Sequence, residues 1–247
     1  MGLPIVDADG MGRAFPSLEH VIPTLHGGAA TPLAMTDEHG NAVVLTTQTN
    51  DWCEALMRAA TVASGCAVTV ALYPMTGKQA RERLIPGVIS LAENLGRVVR
   101  DARTEHRSAA DAVVAYRGGR TLLEGKVTGI RRTNADGFTL GSVDLQGLGS
   151  WTGHEMTIEF QNENIVAIRD GQVVASVPDL IVCMTTDSGH PVPAEEVKYG
   201  YRLSVLGLPC DHRWRTPAGL ALVGPRAFGY DTDFEPVEAL SHSGFRQ

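Results

Sequence analysis

The chain is organised around a stretch near its first residue, Pro4-Ile5-Val6-Asp7-Ala8-Asp9-Gly10-Met11-Gly12-Arg13-Ala14-Phe15-Pro16. The apolar run from Leu3 to Val6 predicts a buried strand of a parallel sheet, and this strand ends where two acids and two glycines follow. In open α/β sheets, ligands bind beyond such strand ends. Asp7 and Asp9 would then point the same way, because alternate residues of a strand share a face. The stretch therefore indicates a ligand site, with the alternative that the two acids only end a strand.

Composition and charge limit the classes of function. The 247 residues carry a formal net charge of -7, which argues against nucleic acid as a partner because phosphate binding needs concentrated Lys and Arg. No apolar run approaches the ~20 residues that span a membrane. The four cysteines contain no Cys-x-x-Cys pair, which favours reduced thiols in the cytoplasm.

Two regions of different periodicity follow the opening stretch. Within residues 1–117 the sequence predicts two strands over 31–36 and 41–47 joined by a hairpin turn, a helix from Asn50 or Asp51 to about Ser64, a central apolar strand over 66–73 and a helix capped by Thr76. This alternation of strands and helices indicates an α/β layered domain. Beyond Gly118-Gly119 the period changes to two, and seven such segments predict a β-rich barrel or sandwich domain over residues 118–247. The opening strand needs neighbours on both sides. We therefore expect a segment upstream of Met1, lost or carried by a partner chain, to complete the first domain, and a loose polar tail after Leu240.

Two segments offer side chains for a metal or for nucleophilic chemistry. Cys210 and His212 follow a predicted strand and are candidate ligands of a divalent metal, although one tripeptide supplies at most two zinc ligands. Asp7 and Asp9 are candidates for a harder cation. Cys210 is also the best candidate for a reactive thiol, because His212 and Arg213 would lower its pKa. The alternatives are a surface loop and a structural thiol, and the metal stays undetermined.

Two polar segments of the second region are candidate substrate contacts. Asn162, Glu163 and Asn164 stand between two apolar strands and offer donors and acceptors to an amide-like ligand. The alternative is a turn held by asparagine side chains. Farther along, a loop dense in Gly, Pro and aromatic residues contains Arg226 and Tyr230. Arg226 suits a substrate carboxylate because its guanidinium matches that shape, and the alternative is a packing clamp.

Taken together, these segments resemble the S-methyl thiohydantoin desulfurase family, which is associated with hydantoinase and oxoprolinase genes. The matching segments occur in order along nearly the whole chain. They are Val6 to Pro16, Ala30-Thr31-Pro32, Leu72-Tyr73-Pro74-Met75-Thr76-Gly77, Phe160-Gln161-Asn162-Glu163-Asn164, Pro178-Asp179-Leu180-Ile181 and Gly224-Pro225-Arg226-Ala227-Phe228-Gly229-Tyr230-Asp231.

The resemblance implies two domains and a hydrolase-type reaction on a cyclic ureide, a small cyclic amide. Such an enzyme replaces ring sulfur by water-derived oxygen or hydrolyses the ring. For that chemistry Asp7, Asp9 and Glu163 are the catalytic candidates. The substrate-binding candidates are Arg13, Asn162, Asn164, Arg226 and Tyr230.

The resemblance implies an upstream α/β segment with a glycine-rich loop, as members of that family carry. It therefore also predicts a partner chain that supplies this segment and an oligomeric assembly. The alternatives are a non-catalytic subunit of a hydantoinase or oxoprolinase-type assembly and a metabolite-binding module. We expect the opening stretch, the Asn162 to Asn164 turn and the Arg226 loop to meet at a pocket between the two domains.

Overall fold

The computed structural model of the chain describes residues 2, 4–135 and 137–239. Leu3 and the predicted loose tail after Leu240 lie outside the described residues. The Cα positions form two compact units, one of residues 1–89 with 134–138 and one of residues 90–133 with 139–247. The domain boundary predicted after residue 117 stays a prediction. None of the helices among the described residues is both long and apolar enough to cross a membrane.

The first unit combines short helices with antiparallel strands. Its elements are β1 Ala8–Asp9, α1 Ile22–Leu25, β2 Leu33–Thr36, β3 Ala42–Leu45, α2 Asn50–Ala63, β4 Thr69–Ala71, α3 Gly77–Arg83 and β5 Ile85–Pro86. Strands β3, β2 and β4 form one antiparallel sheet in that order, and β1 pairs with β5. The predicted β2–β3 hairpin and the α2 helix are confirmed. The α2 helix begins where the Thr49 side chain accepts a hydrogen bond from Trp52 N at 3.3 Å, as an N-cap requires.

The buried parallel strand predicted at the start is wrong for residues 4–6. Ile5 is 84% exposed and Val6 is 67% exposed, and the strand that forms, β1, is two residues long and antiparallel to β5. The sequence around Cys66 to Tyr73 also departs from its prediction. A central apolar strand was expected there, whereas β4 lies at a sheet edge with exposed side chains. In both places, the local apolar sequence does not determine whether other parts of the chain will cover it.

The second unit is built on a seven-stranded sheet. The elements that lie wholly or mostly in it are α4 Val88–Thr104, α5 Ala109–Arg117, β6 Arg120–Ala135, β7 Phe138–Gly147, β8 Glu155–Gln161, β9 Glu163–Arg169, β10 Gln172–Ser176, β11 Leu180–Thr185, β12 Arg202–Leu208 and α6 Pro217–Val223. The strand order is β10-β9-β8-β7-β6-β12-β11. The sheet curls into a half-barrel, and the Asn164 side chain on β9 donates to Ile181 O on the edge strand β11 at 2.9 Å.

The core of the second unit lies inside this curled sheet. Leu123, Ile158, Phe160 and Leu203 are among its most buried members, while Ala110 and Val113 of α5 pack in a second cluster with the end of β12. The chain thus contains both helices and strands. The prediction of a β-rich second half is confirmed to the extent that this half contains one curled, seven-stranded sheet.

Candidate functional site

A cavity of about 680 Å³ lies within the first unit. Most of its wall is apolar, and its charged lining residues are Asp9, Glu54 and Arg58. Its wall also includes Phe15, Leu33, Met57, Thr61, Leu72, Tyr73 and Met75. A mainly apolar wall with a few polar groups is typical of small-molecule sites, and the volume falls in the range of such sites.

Asp9 contributes a carboxylate whose position the backbone fixes. Its Oδ1 accepts hydrogen bonds from Met11 N at 2.8 Å and from Gly12 N at 2.6 Å. Gly12 has φ +68°, and a Cβ there would lie 2.9 Å from the Ile85 Cδ1 atom. A side chain at this position would therefore meet both backbone strain and a close contact. The glycine lets the chain turn back on Asp9 and hold the carboxylate at the cavity wall.

Tyr73 supplies the phenol of the cavity from an unusual backbone position. It is buried and has φ +51°, although bulky residues seldom adopt this region and a residue before proline is restricted further. Its Oη lies 2.8 Å from Thr24 Oγ1. Burial raises the pKa of the Tyr73 phenol to about 12, so the group stays protonated at neutral pH and keeps a proton to donate.

Asn50 contacts Thr24, the hydrogen-bond partner of Tyr73. Its Oδ1 accepts from Ala30 N at 2.8 Å, which identifies the other end as the amide nitrogen. That Nδ2 donates to Gly28 O at 3.0 Å and to Thr24 Oγ1 at 3.5 Å. Thr24 Oγ1 accepts from Asn50, and either hydroxyl can donate in the Thr24–Tyr73 hydrogen bond. In the arrangement in which Thr24 donates, the Tyr73 proton is left for a ligand in the cavity.

Glu54 and Arg58 form an ion pair one helical turn apart on α2. Glu54 Oε2 also accepts from Leu18 N at 2.9 Å. Arg58 donates to Pro16 O at 2.8 Å and to Gly137 O at 3.0 Å. The pair therefore ties α2 to the segment that follows the Asp9 turn, and this segment forms part of the cavity wall.

Two titratable groups with opposite shifts lie beside this segment. Burial raises the pKa of Glu19 to about 7 and lowers the pKa of His20 to about 4. Glu19 Oε1 and His20 Nε2 are 3.8 Å apart. Desolvation disfavours the charged form of both groups, so the first unit holds a carboxyl and an imidazole that tend to be neutral.

The other predicted residues of the first unit serve the backbone around the cavity. Asp7 Oδ1 accepts from Ile89 N in the first turn of α4 at 2.8 Å, a position that favours a carboxylate. Arg13 donates from Nε to Ala14 O at 2.9 Å, and its guanidinium stacks 4.5 Å from the Phe15 ring centroid. Asp9 and Phe15 line the cavity, whereas Asp7 and Arg13 do not.

The predicted polar segment of the second unit forms a tight turn between β8 and β9. Asn162 has φ +54°, its N donates to Thr139 O at 2.8 Å, and its Oδ1 accepts from Thr139 N at 2.7 Å. Asn164 donates to the β11 backbone, and Glu163 pairs with Gln161. These contacts match the alternative of a turn held by asparagine side chains.

Arg226 and Tyr230 lie on the same loop of the second unit. Arg226 is exposed and binds Asp231 at 2.7 Å and Asp233 at 2.9 Å. Tyr230 Oη lies 3.4 Å from Glu159 Oε2, and burial, followed by the Glu159 charge, raises the pKa of the phenol to about 12. The structure brings Asp7, Asp9 and Arg13 together in the first unit, and the other predicted residues belong to the second.

The environment of Cys210 matches the alternative of a structural thiol. Burial, followed by the neighbouring Asp179 carboxylate, raises the pKa of Cys210 to about 12, which suppresses the thiolate. His212 is 87% exposed in its side chain. Within the described part of the chain, no three His, Cys, Asp or Glu side chains are grouped so as to hold a metal ion. The candidate ligands Asp7, Asp9, Cys210 and His212 are thus not part of such a group, and a metal site at them stays a prediction.

Sequence inspection did not assign Tyr73, Glu54 or Arg58 to a site. Glu54 and Arg58 have the spacing of an ordinary helix ion pair, so the pattern alone is uninformative. Tyr73 does lie in a segment that matched the resembling family, and a tyrosine before a proline was the available signal.

Two family models match successive parts of the chain. A model described as "S-Me-THD-like, N-terminal domain" matches residues 1–47, and one described as "S-Me-THD-like, C-terminal domain" matches residues 48–237. A crystal structure of a protein from Chromobacterium violaceum is similar, with 22% identity and a TM-score of 0.77. The match covers 96% of this chain and 67% of that one and indicates a shared fold. No curated protein matches.

Proposed function

Because the chain belongs to the S-methyl thiohydantoin desulfurase-like family, we propose that it acts on a cyclic ureide bound in the cavity of the first unit. The reaction replaces a ring-bound S-methyl group by oxygen from water. One observation carries the proposal: the Asp9 turn, which lies in the segment that matches the N-terminal family model, forms a wall of a mainly apolar cavity. The cavity also holds a neutral phenol, Tyr73.

Asp9 is the general base in this proposal. Its carboxylate takes a proton from water while the water oxygen attacks the ring carbon that bears sulfur. The carbon–sulfur bond then breaks, and the departing methanethiolate takes the proton back from the Asp9 carboxyl group. The products are a hydantoin and methanethiol, so all atoms of substrate and water are accounted for. Asp9 is preferred to Asp7 because Asp9 lines the cavity, whereas the Asp7 carboxylate accepts from the first turn of α4.

Tyr73 stabilises the charge that the attack creates. Negative charge develops on the ring nitrogen next to the reacting carbon, and a fixed donor in a water-poor site stabilises such charge strongly. When Thr24 donates to Tyr73 Oη, which the Asn50–Thr24 contact permits, the Tyr73 proton is free for this role. The apolar side chains around it exclude competing water. No step is assigned to a metal ion, since the described donors are not grouped to hold one.

Turnover in oxygen-18-labelled water tests the reaction type. The purified full chain is incubated with a 2-methylthio hydantoin derivative, and methanethiol and ring products are followed by mass spectrometry. We expect methanethiol release and one labelled oxygen on an intact ring. An opened ring with the label in a new carboxylate would instead indicate hydantoinase-type ring hydrolysis. Binding without turnover would contradict the proposal and favour the alternative of a non-catalytic subunit or metabolite-binding module.

A further inference from the structure

We infer that the cavity accepts thiohydantoins with an uncharged, apolar ring substituent and discriminates against those with an anionic one. This inference rests on the proposed function and names its substrate class. It departs from the expectation that an arginine holds a substrate carboxylate. Three features of the cavity carry it, namely its apolar wall, the engagement of its guanidinium by protein groups and the balance of its charges.

The apolar wall leaves space beyond the reacting ring. Leu33, Met57, Leu72 and Met75 line the cavity, and Leu33 and Met57 are almost completely buried. The volume of about 680 Å³ suits ligands larger than a bare five-membered ring. A hydrocarbon substituent placed against these side chains would leave water and gain the corresponding hydrophobic free energy.

Protein groups already occupy most of the hydrogen-bonding capacity of the cavity guanidinium. All three nitrogens of Arg58 are engaged, with Glu54, with Pro16 O and with Gly137 O. The Phe138 ring lies 3.7 Å from the guanidinium carbon and covers one face. A substrate carboxylate that binds this guanidinium through two hydrogen bonds would have to displace at least one of these partners, and displacing Glu54 would leave a half-buried carboxylate without its cation.

The charges of the wall also oppose an anion. The charged side chains that line the cavity are Asp9, Glu54 and Arg58, so carboxylates outnumber guanidinium groups. Arg13 lies outside the lining, where it stacks on Phe15 and donates to the backbone. An anionic substituent near this wall would meet repulsion that is screened less than in bulk water.

A series of matched ring substituents tests the inference on the full chain. S-methyl thiohydantoins with isobutyl, carbamoylmethyl and carboxymethyl substituents are compared by kcat/KM and by dissociation constant. The last two have nearly the same size and shape and differ in charge. We expect the isobutyl compound to be best and the carboxymethyl compound to be at least tenfold worse than the carbamoylmethyl compound.

A charge added to the wall provides a second, independent test. Thr61 lines the cavity from α2 and is partly exposed, so Thr61→Lys places a cation there, with Thr61→Gln as the uncharged control. Melting temperatures of both variants are measured to check that they fold. Thr61→Lys should reduce the discrimination against the carboxymethyl compound at least fivefold, and Thr61→Gln should not.

The outcomes separate the two proposals. Equal or preferred turnover of the carboxymethyl compound would overturn the inference and leave the proposed function standing. An unchanged ratio in Thr61→Lys would overturn the electrostatic part. If none of the rings binds or is turned over by the natural sequence, the proposed function fails and the inference fails with it.

Discussion

Replacing Asp179 by asparagine is expected to destabilise the second unit by about 3 kcal/mol. Asp179 has no exposed surface and lies in one of the segments that matched the resembling family. Its carboxylate accepts from Cys210 N at 3.0 Å and from Val237 N at 2.8 Å. The Arg215 Nη2 atom lies 2.7 and 2.8 Å from its two oxygens. One side chain thereby anchors three separate segments.

The magnitude follows from what an amide cannot do in this position. Hydrogen bonds to a charged group contribute about 1.5–3 kcal/mol each, and removing one partner of a buried ion pair costs about 3–5 kcal/mol. The asparagine side chain would keep one oxygen acceptor, but its NH₂ group would face donors. Arg215 retains Glu238 as a partner, at 3.0 and 2.8 Å, which places the loss at the lower end of that range.

Asp233→Asn is the matched control. Asp233 also pairs with an arginine, Arg226, but its side chain is 85% exposed, so its loss should cost less than about 0.5 kcal/mol. Urea unfolding followed by tryptophan fluorescence measures both variants. Trp151 and Trp214 are buried in the second unit, whereas Trp52 is exposed, so the signal reports mainly on that unit.

Equal effects of the two variants would refute the reasoning. A loss below about 1 kcal/mol for Asp179→Asn would mean that burial and the three anchored segments do not set the free energy of this pair. A change in the urea slope would instead point to a change in the unfolded ensemble.

Three further predictions concern titratable side chains. The folded-state pKa of Glu19 is raised from 4.5 to about 7, so the stability that Glu19 contributes is lost as the pH rises through this window. The folded-state pKa of His20 is lowered from 6.5 to about 4, so the stability that His20 contributes is lost as the pH falls through this second window. These two pH dependences of stability oppose each other. Glu19→Gln removes the first, so its melting temperature should fall as the pH is lowered from 6.5 to 4. A melting temperature that rises on acidification would contradict this. Cys210 should resist iodoacetamide at pH 8 while the exposed Cys66 is modified, as peptide mass spectrometry would reveal, and equal labelling would show that the Cys210 thiol is not suppressed. Tyr73→Phe should lower kcat about a hundredfold or more with little change in KM, because a fixed donor acts mainly in the transition state; a change confined to KM would assign Tyr73 to ground-state binding.

Local signals account for the parts of the fold that sequence inspection predicted. The α2 helix, the β2–β3 hairpin and the strands of the second unit follow from periodicity and turn residues. Thr76 and Gln79 form the capping box at the start of α3, where a threonine cap was expected. Burial is a property of the whole fold, which explains why the exposed run at Ile5 was predicted to be buried.

The site shows the same division between local and long-range information. Asp9 was proposed from its own segment, and the backbone amides that hold it are two and three residues away. Tyr73 depends on Thr24, which is 49 residues away. Cys210 was judged by its sequence neighbour His212, whereas its pKa is set by burial and by Asp179, 31 residues upstream.

The central claim is that the cavity of the first unit is the reaction site and that Asp9 is its base. The most direct measurement compares methanethiol release by Asp9→Asn and Asp7→Asn. Both asparagines keep an oxygen that accepts the same backbone hydrogen bonds, so both proteins should fold. General-base catalysis contributes about 10²–10⁴-fold, so Asp9→Asn should lose at least a hundredfold in kcat while Asp7→Asn stays within about threefold of the natural sequence. Unchanged turnover in Asp9→Asn, or an equal loss in both variants, would contradict the account.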